Sequence, residues 1–130
     1  DVIMRMQKTF TDIVKKDGTF IAPDDFSEVI DNGKAFIDPG VKMGEGWLLT
    51  GEVVSLIKSG VTNVISAQPF GCLPNHIVAK GMVRKIKDEY PKANIVAIDY
   101  DPSASKVNQE NRIRLMLANA KLSEEMKASV

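Results

Sequence analysis

The chain predicts an α/β fold: a small parallel sheet built on a βαβ unit, half of a Rossmann-like arrangement, with helices on both faces. Three observations carry that expectation. Two short apolar runs, Val61-Thr62-Asn63-Val64-Ile65 and Asn94-Ile95-Val96-Ala97-Ile98, have strand length and little polar interruption, as parallel strands covered on both sides do. The segments around them carry apolar residues at helical spacing. Each run also feeds a helix, so the second strand returns parallel to the first through a right-handed crossover. Two such strands leave both sheet edges unpaired. The sheet is therefore expected to be an incomplete piece of a larger one, continued outside this sequence, with the short piece at residues 18–22 as the other source of a strand.

The elements follow in order. Ile3, Met6, Phe10 and Ile13 form a helical stripe over residues 3–16 that stops at Asp17-Gly18. Ala22-Pro23-Asp24 begins a second helix, with Asp24 as N-cap and Phe26, Val29, Ile30 and Phe36 on the buried face, closed by the turn Asp38-Pro39-Gly40. The connector Lys42-Met43-Gly44-Glu45-Gly46 reads as a turn. As a phosphate loop it lacks a preceding strand and a following lysine-serine or third glycine. Residues 47–59 make a third helix, with Leu49, Val53, Leu56 and Ile57 inward, Trp47 as a core anchor and Gly60 as the stop. Gly51 inside it costs about 1 kcal/mol of helix propensity, which points to close packing against another backbone.

From there the alternation is regular: strand 61–66, a loop, helix 76–89 with Val78, Met82, Val83 and Ile86 toward the sheet, a break at Tyr90-Pro91, strand 94–98 and helix 102–121. Asp101 is the expected N-cap of the last helix and Pro102 its first residue. That helix is polar from Asn108 to Arg112 and apolar at Ile113, Met116, Leu117 and Ala120. The polar half reads as a solvated face or as a contact with a missing domain or bound group. Residues 1–43 thus form a helical N-terminal part, 44–121 an αβαβα unit and 122–130 a disordered tail, in one compact domain.

Bulk properties narrow the function. Lysine plus arginine and aspartate plus glutamate each number 17, so net charge is zero, against nucleic acid or an anionic membrane as partner. No apolar run approaches the ~20 residues of a membrane span, and no basic-then-apolar stretch reads as a signal peptide. One cysteine cannot form an internal disulfide, so the expected location is cytoplasmic. The start at Asp1 rather than methionine fits a segment of a longer polypeptide.

Chemistry concentrates in one loop. Gln68-Pro69-Phe70-Gly71-Cys72-Leu73-Pro74-Asn75-His76 leaves the first strand at its carboxyl end, where open α/β sheets keep their ligand crevice, and holds the only cysteine and the only histidine. Cys72 sits about one turn before a helix start, where the helix dipole favours a thiolate. Three readings stand: a small apolar filler, a ligand to zinc or an iron-sulfur cluster completed elsewhere, or a nucleophile assisted by His76. The spacing of Cys72 and His76 is not a specific metal signature, and His76 serves equally as a surface residue capping the helix. A nucleotide or CoA site at the helix amino ends is opposed by Asp101, which would repel phosphate.

That loop, together with Ile98-Asp99-Tyr100-Asp101-Pro102-Ser103-Ala104-Ser105-Lys106-Val107-Asn108-Gln109-Glu110-Asn111-Arg112, resembles the carboxyl-terminal part of the large 2-hydroxyacyl-CoA dehydratase activator-related proteins. In these fusions, activase-like ATPase domains join a region similar to the dehydratase subunits. The likeness runs from about Gly44 to Leu117. It implies an ATP-driven, anaerobic, low-potential electron-transfer system in which Cys72 contributes to an iron-sulfur cluster, with Gly71 and Phe70 shaping its loop. The remaining cluster cysteines and the ATP-binding loops are absent here. They would lie in upstream domains of the same polypeptide, with a dehydratase or reductase subunit as a further partner. The segment alone is then expected to be apo and inactive. An apolar loop would make a dry shell that favours low potential. The competing expectation is a structural or docking domain without chemistry of its own.

Overall fold

A computed structural model describes residues 2–100 and 105–128. In chain order it contains α1 (Val2–Asp17), α2 (Phe26–Lys34), α3 (Gly46–Lys58), β1 (Asn63–Pro69), a π-helical turn (Pro74–Ala79) that runs straight into α4 (Lys80–Glu89), β2 (Asn94–Tyr100) and α5 (Lys106–Ala128). The architecture is mixed α/β, with β1 and β2 parallel in a two-stranded sheet and Val64 opposite Ile95. No described helix is long and apolar enough to cross a membrane.

Val54 and Ile57 of α3 and Ile86 of α4 close over Val64 and Ile95, with Phe36 and Ala93 completing the main core. Each large aliphatic chain buried there contributes roughly 1.5–3 kcal/mol. Side chains alternate along a strand, so Ile98 of β2 faces the other way. It too is fully buried, on the side where α5 lies along β2. The second strand is thus covered on both faces, as its unbroken apolar run predicts. The first is covered on one only. Ile65 remains 47 % exposed, Val61 is exposed and lies before the strand, and β1 runs past residue 66 to Pro69.

The two sheet edges differ. The amide of Asn94 donates to the Thr62 carbonyl at 2.8 Å, so even-numbered backbone groups of the two strands face each other and odd-numbered ones point outward. On β2 the outward carbonyls of Ala97 and Asp99 accept from Arg112 Nη1 at 3.0 Å and Gln109 Nε2 at 2.9 Å. The polar half of α5 therefore seals a strand edge, a role its composition does not reveal. On β1 the outward backbone groups of Ile65 and Ala67 have no hydrogen-bond partner among the described residues. The sheet is open there, in keeping with an incomplete one.

Helix faces differ from the periodicity in places. On α3 the buried positions are Gly46, Thr50, Gly51, Val54, Ser55 and Ile57, while Leu56 is exposed and Leu49 and Val53 are half-buried. Gly51 sets that rotation, because a Cβ there would collide with the Val29 carbonyl oxygen of α2. The N-cap of α2 is Asp25 rather than Asp24: its carboxylate accepts from the Ser27 amide at 2.8 Å, and Phe26 just after it is exposed. In α5 Met116 is buried but Leu117 is 60 % exposed, and helix continues to Ala128 through most of the stretch expected to be a tail. The apolar stripe of α1 faces solvent along its length. The residues expected to cap and open α5, Asp101 and Pro102, lie outside the described residues.

Candidate functional site

The carboxyl ends of both strands and the start of α5 converge on one end of the molecule. β1 ends at Pro69, whose carbonyl accepts from the Cys72 amide at 3.2 Å, making a tight turn through Phe70 and Gly71. Gly71 takes φ 70°, a left-handed conformation that a side chain would strain. The Cys72 carbonyl then accepts from the His76 amide at 2.9 Å, which opens the helix two residues earlier than the sequence implies. In this first turn the Lys80 amide reaches back five residues to the Asn75 carbonyl, the wider π spacing that often marks functional positions.

Gln68 fixes the turn from below. Its side chain is 0 % exposed and Nε2 donates to the same Asn75 carbonyl at 3.1 Å, while Oε1 is buried without a partner among the described residues. Gln68 is thus a positioning residue of the loop and does not meet solvent. Asn75 in turn donates through Nδ2 to Cys72 Sγ at 3.1 Å. The thiol is free and partly exposed. Its neighbours Phe70 and Leu73 are 80 % and 55 % exposed, so the dry shell expected around the sulfur is an open apolar rim.

His76 points elsewhere. Its Nδ1 lies 3.8 Å from Asp99 Oδ1, too far for a hydrogen bond but close enough for an ion pair when the imidazole is protonated. Asp99 Oδ1 is shielded and has no hydrogen-bond partner among the described residues. Among the described residues no hydrogen bond joins the Cys72 thiol to the His76 imidazole, so the nucleophile reading lacks its base. Nor does any group of three histidine, cysteine, aspartate or glutamate side chains among the described residues suit a metal ion.

Beside this loop is a crevice of about 630 Å³ between the strand ends and α5. Phe70, Leu73 and Ile98 form an apolar wall, and His76, Asn108 and Arg112 line the polar side. Cys72 does not line it. No family model, curated protein or solved structure matches this chain. What the site can do rests on its own residues.

Of the residues singled out in the sequence, Gln68, Phe70, Gly71, Cys72, Asn75 and His76 do gather at one strand end, and Asp101 lies outside the described residues. Phe70, Gly71 and His76 border the crevice, whereas Cys72 and Asn75 form a separate pair on its rim. Sequence reasoning passed over Asp99. It is the last-but-one residue of β2, and the signal was available: in a βαβ unit an acidic side chain at the end of the second strand faces the crevice. Of the connector glycines, Gly46 is explained by packing, since a Cβ there would lie 2.8 Å from Val78, and Gly44 by its left-handed φ of 55°.

Proposed function

We propose that this chain supplies one wall of an iron-sulfur electron-transfer site, with Cys72 as its ligand and the remaining ligands outside this sequence. The observation that carries the reading is the setting of Cys72: a partly exposed thiol at a strand's carboxyl end, already accepting an N–H from Asn75, in an apolar rim of Phe70 and Leu73 that no described residue covers. One thiolate is a fraction of the four-cysteine set that such clusters use. The donor set therefore fits a shared site and does not fit a cluster held by this chain alone. When bound, the cluster supplies one-electron transfer, and the resemblance to 2-hydroxyacyl-CoA dehydratase activator-related proteins assigns it a low potential driven by ATP hydrolysis in upstream domains. A dehydratase or reductase subunit is the acceptor on this reading. A reducing, cytoplasmic setting suits an unpaired thiol.

A second reading, a docking domain that only completes the sheet of a larger subunit, is favoured by the bare outer edge of β1. Anaerobic purification of the complete polypeptide separates the two. The redox reading expects Cys72→Ser to lose iron and visible charge-transfer absorption while far-ultraviolet circular dichroism stays unchanged. Full iron content in that variant leaves the docking reading alone.

A further inference from the structure

We propose that the crevice between the strand ends and α5 binds a small organic carboxylate with an aromatic or branched apolar body. Its volume of about 630 Å³ falls within the roughly 300–1,000 Å³ of small-molecule sites. The site is distinct from Cys72 and requires no iron.

Its two walls differ in chemistry. Phe70, Leu73 and Ile98 present aromatic and aliphatic surface, and Phe70 and Leu73 stand largely exposed at the mouth. Opposite them, Asn108 and Arg112 are four residues apart on α5 and so share one helix face. Arg112 spends one N–H on the Ala97 carbonyl, which steadies the guanidinium against β2 and leaves four of its five donors. Its charge is not met by that contact, because a carbonyl is neutral. Glu110, the nearest acid on the helix, is shared by Lys106 at 3.7 Å and Arg114 at 3.9 Å, and among the described residues Arg112 has no ion pair. A cation steadied on a cavity wall beside a primary amide matches a carboxylate, which the guanidinium fork can hold through two parallel hydrogen bonds.

Asp99 sharpens the choice. Its carboxylate stands on the same crevice, turned toward His76 Nδ1, and repels anions. A phosphate dianion suffers that repulsion about twice over, whereas a single carboxylate can seat on the α5 side with its apolar body along Phe70 and Leu73.

The test is titration of the purified, iron-free protein with 3-phenylpropionate, 3-phenylpropan-1-ol and inorganic phosphate, followed by amide chemical shifts and calorimetry. The acid should shift amides at the ends of both strands and the start of α5, and bind at least about tenfold more tightly than the alcohol. Phosphate should bind more weakly than the acid. Arg112→Gln should bring the acid down to the alcohol's affinity and leave the alcohol unchanged, while Phe70→Ala weakens both alike. Because Arg112→Gln also removes the bond to Ala97, Arg112→Lys serves as the second variant: it retains the charge and should retain the preference for the acid. Equal affinity for acid and alcohol, no binding of the acid at millimolar concentration, shifts confined to other parts of the molecule, or an acid preference that survives Arg112→Gln would each overturn the proposal.

Discussion

Replacing Gly51 by alanine is the most exacting test of the packing, because helix propensity and tertiary fit oppose each other at this position. On propensity alone the change should stabilise α3 by about 1 kcal/mol. The new methyl, however, would fall on the Val29 carbonyl oxygen, and within 3.2 Å of Val29 Cγ1 and 3.3 Å of the Val29 carbonyl carbon. A backbone oxygen cannot rotate away, so α2 must move off α3. That movement stretches the buried bond from Asn32 Nδ2 to Ser55 Oγ, now 2.8 Å, and opens the contact of Gly33 against the Gly51 Cα. Overpacking typically costs about 1–3 kcal/mol, and a clash with main chain belongs at the upper end. Set against the propensity gain, Gly51→Ala should lose about 2 kcal/mol. Gly81 of α4 is the control. It is exposed, and a methyl added there would meet nothing within 4 Å, so Gly81→Ala should gain up to about 1 kcal/mol. Urea unfolding followed by circular dichroism measures both. A Gly51→Ala variant as stable as the parent, or two variants shifting in the same direction, would refute the account of the α2–α3 contact.

Other outcomes are equally definite. Ile86 is 1 % exposed at the centre of the main core, so Ile86→Ala should cost about 2–5 kcal/mol in the same unfolding assay. The Ser27 hydroxyl and amide hold the Asp25 carboxyl below its ordinary value of 3.8. A lowered folded pKa means that the cap's contribution is complete above the unfolded pKa and lost as pH falls through the folded one. Acid titration should show a loss of stability there that is reduced in Asp25→Asn, which keeps a capping oxygen without the charge. Asn75→Ala removes the donor to Cys72 Sγ; if Cys72 holds a cluster in the complete polypeptide, as proposed, the change should make its reduction potential more negative by redox titration, because a donor to sulfur stabilises the added electron.

Much of the scaffold was legible because local signals and tertiary packing agree. Asn94 starts β2 where the apolar run begins, Tyr90-Pro91 ends α4, and Gly51 lies where another backbone passes close. Where they disagree, long-range contacts decide. β1 reaches Pro69 because the register with β2 carries Gln68 and Pro69 opposite Asp99 and Tyr100, a pairing that the turn-forming proline conceals. The inward face of α3 is set by Gly51 and by the Asn32–Ser55 bond, so Thr50 and Ser55 are buried in place of Leu56. The polar run from Asn108 to Arg112 has the composition of a solvated surface, yet two of its side chains satisfy strand carbonyls. For the site, the sequence located the loop and its members but could not separate them. Only the geometry places Cys72 with Asn75 on the rim and His76 with Asp99 on the crevice.

The central claim, that Cys72 is a ligand in a site shared with other parts of the polypeptide, is tested most directly by the accessibility of its sulfur. The complete polypeptide, purified anaerobically, should be treated with iodoacetamide before and after iron is removed by chelation, and alkylation of Cys72 read by mass spectrometry. The account predicts protection while iron is present and rapid modification once it is gone, as befits a partly exposed thiol. Equal modification in both samples would contradict it.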